Sequence, residues 1–387
     1  MTILFPSVLA TAQESQEPDT VRCRVEKILS DSYNVTTFSG GEIYTRVINF
    51  RGKILTGSHK GETILVRQEL DELGQINAYP AQPGDTFFVY LALGERGQLM
   101  GYAGDQVRDV TLLVLTVLFL GGLLLFGGWK GMKTIVSLVL TVALVFLWFI
   151  PSLLQGRSPE MMVLLVSSVI ILMTLAIVIG LNKKALSAAL GCLGGVAAAG
   201  LLCAVSMAAM RITGLVDSDA GILMYVSESG YIDLKGMVFA GIIIGALGAT
   251  MDVAISIAAA LHELAAQAPG ISARQLIRSG FTIGQDMMGT MSNTLILAYV
   301  GGSLNVILLM YSQGMSFVEL INREMVAVEL LQSLAGSIGM LCTIPITAIA
   351  AAYMIGRKGE SLREGNWPQG VPMDFSQWID FSAEKGE

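Results

Sequence analysis

The chain is expected to be a polytopic α-helical membrane bundle of about seven spans behind an N-terminal, extracytoplasmic small β domain. Composition points there first: of 387 residues 53% are hydrophobic and only 14% charged, whereas soluble domains carry about 25% charged residues. Patterning points there next, because seven apolar segments follow residue 108, at 110–129, 134–155, 161–181, 186–210, 236–261, 283–312 and 325–356. Each is long enough to cross a roughly 30 Å hydrocarbon core at about 1.5 Å per residue. Third, residues 20–105 are of different material, short runs rich in Val, Ile, Thr, Tyr and Phe punctuated by SGG, TGSHKG and AQPGD. Such runs read as five or six strands joined by turns, a small barrel or sandwich.

In chain order, residues 1–19 are expected to form part of a signal or anchor segment. They hold a short apolar run before Ala10-Thr11-Ala12 but no basic start,. In the β domain, Pro83-Gly84-Asp85 ahead of TFFVYLAL is expected to turn the chain into a strand,. The bundle then occupies 106–357, and residues 358–387, with Pro368, Pro372 and several glycines, read as an irregular tail. Basic residues set the orientation. Lys130, Lys133, Lys183, Lys184, Arg274, Arg278, Arg357 and Lys358 fall on one set of connections, while the opposite set is richer in acids. The positive-inside rule places the tail in the cytoplasm of a cell membrane, and seven spans then place the β domain outside.

The formal net charge of -7 with no long basic run argues against nucleic acid as a partner,. Two histidines and four cysteines without CxxC spacing give no metal site, and no cofactor is expected,. The loop acids Asp217, Asp219 and Glu228 lack EF-hand spacing and read as a solvated loop,. No nucleophile elbow and no phosphate-cradling glycine loop occurs, so an enzyme is not expected.

The chemistry lies inside the apolar segments. Asp252 is the one charge in 236–261, beside a surface of Gly241, Gly245 and Gly248 suited to helix packing,. An acid at such depth costs about 2.5–3.5 kcal/mol on insertion scales and should face protein or water. Asp286, Asn293, Asn305, Glu329 and Gln332 add further polar groups. Depth and helical spacing suggest an inner layer of Asp252, Asp286 and Asn293, and an outer layer of Asn305, Glu329 and Gln332. Gly280, Gly284 and Gly289 suggest a break early in the sixth segment, against an amphipathic lead-in to an ordinary helix,. Amides and acids at these positions serve either as transport or coupling groups or as structural glue.

Three blocks, IIGALGATMDVAISIAAALHEL, IRSGFTIGQDMMGTMSNTLILAYVGGSL and NREMVAVELLQSLAGSIGMLCTIPITA, together resemble the YibE/F family of bacterial integral membrane proteins. The resemblance covers about residues 105–357. It implies an extracytoplasmic N-terminal β region and a multi-span body, and it assigns no substrate. It also implies a full signal or anchor ahead of the β region, of which residues 1–19 carry only part. Two functions follow as expectations: a permease or transporter component for a small solute or ion, or a non-transporting anchor or signalling component whose β domain binds a partner. The bilayer is the first partner in either case, with a second copy or another membrane subunit as further candidates.

Overall fold

The computed structural model describes residues 20–38, 41–71, 79–93, 98–216, 220–221, 233–268 and 270–356. The expected signal segment, the tail from Arg357 onward and the loop acids Asp217, Asp219 and Glu228 lie outside the described residues. The chain falls into two compact units, residues 1–121 and 122–387.

Five strands build the first unit: β1 (Thr20–Phe38), β2 (Gly41–Ile54), β3 (Thr63–Asp71), β4 (Thr86–Leu93) and β5 (Leu99–Gln106). They close in the order β1-β2-β3-β5-β4, with β4 returning to β1. Every pairing is antiparallel except that of β3 with β5. This is the five-stranded Greek-key arrangement of OB-type barrels. Alternation dictates the core: Val21, Cys23 and Val25 point inward from β1, to meet Phe50, Val66, Phe87 and Val89,. Gly52 and Gly101 leave room for that core, since a Cβ at either would strike Cys23 Sγ or Val89. Burial pushes the Cys23 thiol up to about 11, with Glu26 adding to the effect, so it is an inert core group,. The buried Gln68 amide is satisfied at both ends, donating to Tyr79 O and accepting from Ala81 N, each at 2.9 Å,. The turn expected at Pro83-Gly84-Asp85 is present; Gly84 has φ 99°, and Asp85 Oδ2 accepts from Gln82 N at 2.9 Å.

Only Val107 and Arg108 separate β5 from the first long helix. That helix, α1 (Asp109–Leu144), passes through a π turn (Val145–Phe149) into α2 (Ile150–Leu154). The bundle continues with α3 (Pro159–Val178), α4 (Lys183–Ala209), α5 (Leu234–Gln267), α6 (Ala273–Gly302), α7 (Leu304–Ser312), α8 (Phe317–Ile321) and α9 (Glu324–Gly356).

Five stretches among the described residues are long and apolar enough to cross a membrane: Asp109–Leu154, Pro159–Val178, Lys183–Ala209, Leu234–Gln267 and Glu324–Ile355. Counting α6 with α7, bent by 57°, as one span gives six. Where seven apolar segments were expected, five or six long apolar stretches are found, because segments 110–129 and 134–155 run into one helical stretch. That stretch is not straight. Gly128 is non-helical (φ 52°, ψ -129°), and a Cβ on Gly131 would strike the carbonyl of Leu123, eight residues back. A straight helix would hold residues eight apart at about 12 Å, so the chain turns sharply there.

A correction concerns Gly280, Gly284 and Gly289. The helix runs unbroken through all three, and the bend comes later, at Ser303. Gly280 and Gly284 are glycine for packing: a Cβ would collide with Ala348 or Ile344 of α9. The amphipathic lead-in is what forms. It is part of α6 itself, started by a capping box between Ser272 and Gln275,.

Candidate functional site

The bundle is organised around α9, which packs between α4, α5 and α6. Against α4 the fit is one of small residues at spacing four: Gly191, Gly195 and Ala199 meet Thr347, Thr343 and Gly339 in antiparallel register,. A Cβ at Gly191 or Gly195 would overlap the facing threonine hydroxyl. Thr343 and Thr250 turn their hydroxyls onto their own helices, donating to Gly339 O at 2.9 Å and to Ala246 O at 3.0 Å. That satisfies the hydroxyl protons within each helix, and Thr250 Oγ1 also lies 3.4 Å from Cys192 Sγ of α4. A different acid fastens the start of α9. Glu324 accepts from the backbone N–H groups of Thr213 and Gly214 at 2.8 and 2.7 Å and from the Thr213 hydroxyl.

On the other side α6 runs level with α9 throughout its apolar length. Gly280 lies at Ala348, Gly284 at Ile344, and Leu295 beside Gly336, which also touches Ala246 of α5. Farther along, Tyr299 of α6 and Gln332 of α9 converge on Gly245 of α5: its missing Cβ would stand 2.5 Å from the Tyr299 hydroxyl and 2.9 Å from Gln332 Nε2. Seven residues make nearly two turns and return to the same face. Asp252 therefore shares Gly245's face, while Ser292 and Gln285 share Tyr299's. Because α5 and α6 are antiparallel, Asp252 comes level with Ser292. Asp252, Gln285, Ser292 and Tyr299 thus lie along one edge of the α5–α6 contact, with Gln332 at one end. The packed part of that contact is apolar, Val253, Ile257 and Leu261 among Ile283, Met287, Met288 and Met291.

The six polar residues expected to matter are placed unequally. Asp252, Asp286, Asn293 and Asn305 are exposed, while Glu329 and Gln332 are half-buried. No hydrogen bond or ion pair among the described residues joins any of the six to a neighbour. Asn293 lies within a turn of Asp252 in depth and Asp286 nearly two turns away, about 9 Å. Both are on the outward side of α6, so the inner layer is split in depth and between two faces. Gln332 reaches the seam. Asn305 lies beyond the bend, on α7. Of the three packing glycines, Gly245 is the one in close contact; Gly241 and Gly248 look onto open space with no atom within 4 Å. They precede Asp252 on an exposed strip of α5.

The outward side of α6 is the most unusual surface of the bundle. From Thr282 to Thr294 every exposed position is polar or glycine: Thr282, Gln285, Asp286, Gly289, Thr290, Asn293 and Thr294. Exposed positions on α1, α3, α4 and α9 are instead dominated by Leu, Val, Phe and Ile, as lipid contact demands. Reading acids and amides one at a time missed this face and missed Tyr299. The signals were there in the seven-residue spacing of Gln285, Ser292 and Tyr299, and in the threonines interleaved with Asp286 and Asn293.

No curated protein and no solved structure matches the chain. A family model described as YibE/F-like protein matches residues 115–357. That match takes in the whole bundle from the first apolar helix to the end of α9 and covers more than half of the chain, so the protein belongs to the YibE/F family.

Proposed function

We propose that the chain is a permease or transporter component that moves a small solute or ion along the polar seam between α5 and α6. One observation carries the reading: Asp252 stands at span depth on a glycine-lined face of α5, level with the Gln285–Ser292–Tyr299 stripe of α6. Lipid gives such a group no partner, while water or a passing cation does. The open positions at Gly241 and Gly248 leave room along the same strip. Asp252, two amides and two hydroxyls line the seam between Gln285 and Tyr299, which suits a cation or a proton-coupled solute, and Arg278 stands one seven-residue step before Gln285. The reading makes the protein no enzyme.

The topology that goes with it has seven spans, counted by dividing Asp109–Leu154 at Gly128. Lys130 and Lys133 at that turn then face the cytoplasm together with Lys183, Lys184, Arg274 and Arg278, and the barrel lies outside. The test of function is flux. Full-length protein in vesicles carrying an internal pH dye is expected to pass protons or small cations in an acid-dependent manner. Tight vesicles with folded protein would overturn the reading.

A second reading, an anchor whose barrel recognises a partner, is favoured by the outer face of β3, β5 and β4. There Arg67 pairs across to Tyr102 and Tyr102 to Tyr90, with Leu65 beside Met100 in the next row. Leu65, Tyr90 and Tyr102 are all exposed. A stable partner complex formed by a flux-silent protein would favour this second reading.

A further inference from the structure

We infer that two copies of this chain associate in the membrane through the outward polar face of α6, the face centred on Gly289. The face lies at bilayer depth, because α6 keeps level with α9 from Gly280 opposite Ala348 to Leu295 beside Gly336, and α9 is one of the spans. Hydrocarbon cannot satisfy Asn293 or Asp286 there, and neither has a hydrogen-bonding partner among the described residues. Something other than lipid covers them.

A second copy fits that cover by its chemistry. Two identical subunits in one membrane, both inserted the same way round, are related by a two-fold axis along the membrane normal. Each must then offer a surface that complements itself. An amide both donates and accepts, so Asn293 can bond to its own counterpart and to the threonine oxygens beside it. Gly289, with no atom within 4 Å of a Cβ position, is the place where the second backbone can come close. The threonine hydroxyls already donate to their own helix, Thr282 to Arg278 O at 3.2 Å, Thr290 to Met287 O at 3.0 Å and Thr294 to Thr290 O at 2.9 Å. Across the interface they therefore act as acceptors for the second copy's Asn293 amide, the group that both donates and accepts. Asp286 lies about 60° round the helix from Gly289, towards the edge of the face. The face adjoins the Gln285–Ser292–Tyr299 stripe along Gln285, but the association rests on Asn293 and the open Gly289 and stands without the transport reading.

The test is oxidative cross-linking of full-length protein in native membranes, in a Cys342→Ala background that removes the one native cysteine that is not buried. Gly289→Cys and, separately, Asn293→Cys are expected to give a disulfide-linked dimer as the main species. Leu201→Cys, on the exposed lipid side of α4, is expected to give little or none. Parallel labelling with a water-soluble maleimide reads the alternatives. Strong labelling without cross-linking means that water lines the face, and neither labelling nor cross-linking means that another subunit or lipid covers it; either result overturns the inference. Thr282→Cys, one end of the same face, replaces any variant that does not insert, as judged by a monodisperse elution profile in detergent.

Discussion

Asp252 is the residue on which the transport proposal rests, and its two roles make opposite demands. As a coupling or cation site it has to change charge or ligand during the cycle, so the amide isostere should keep the fold and lose the work. Asp252→Asn is therefore expected to leave the thermal unfolding of detergent-solubilised protein unchanged, while proton or cation flux falls by about tenfold or more and loses its pH dependence. Asp252→Leu is expected to be as inactive without being less stable, because removing a charge from an apolar site can be neutral or stabilising. If the acid is structural glue, the Asn variant melts earlier; if its flux is unchanged, the coupling role is lost. A second residue-scale expectation concerns the barrel. Asp31 accepts two hydrogen bonds from Arg46, at 2.8 and 2.6 Å, and they hold its carboxyl below the usual range. A depressed folded value means stabilisation that is present above the unfolded value of about 3.9 and fades as pH falls through the folded one. Because the pair is solvent-exposed, Asp31→Asn is expected to lower the barrel's melting point by no more than about 4 °C at pH 7. No difference should remain near pH 2, and a gap that persists there would mean the side chain acts through packing.

Among the elements, the α4–α9 pair shows what the small residues accomplish. Gly195 faces the Thr343 hydroxyl, the Gly339 carbonyl and Thr250 at once, so a valine there must push two helices and a third apart. Gly195→Val is expected to cost roughly 1–3 kcal/mol or to prevent insertion altogether, read as an earlier melt or loss of the monodisperse peak. Gly248→Ala, on the open strip of α5, is expected to cost nothing measurable, and equal damage from both would remove the packing argument. The sequence made such surfaces legible as glycines at spacing three and four but could not say which neighbour fills each one. Gly280 and Gly284 read as helix breakers for that reason: a glycine that serves close packing and one that interrupts a helix look alike until Ala348 and Ile344 are in place. The barrel was easier, because period-two alternation fixes which side chains go inward, as with Val21, Cys23 and Val25. Its closing strand β5 (Leu99–Gln106) pairs with both β3 and β4, so a soluble fragment must extend through Gln106. Residues 20–106 are expected to be strand-rich by far-UV circular dichroism, and a fragment stopped at Met100 to be unfolded. A helical spectrum from the longer fragment would remove the barrel.

At the scale of the whole molecule, the ends of α9 (Glu324–Gly356) fall within a residue of the expected 325–356, yet the number of crossings was not legible. An apolar run reports that a helix forms and is silent on whether a turn like that at Gly128 divides it. That single turn decides which side of the membrane the barrel occupies. If Asp109–Leu154 crosses twice, the chain has seven spans and its two ends lie on opposite sides; if it crosses once, there are six and they share a side. Charge favours the first arrangement, since Lys130 and Lys133 follow Gly128 directly, and burying them in hydrocarbon would cost about 2.5–3.5 kcal/mol each on insertion scales,. Membrane-impermeant thiol labelling of intact cells separates the cases, again in the Cys342→Ala background. A cysteine at Lys60, exposed in the turn before β3, is expected to be labelled, as is one at Ser218, while one at Ser361 reacts only after the membrane is opened. A cysteine at Trp129 should behave like Ser361. Labelling of neither Lys60 nor Ser361 in intact cells would mean an even number of crossings and an unbroken first span, and the barrel would then have to find its partner in the cytoplasm.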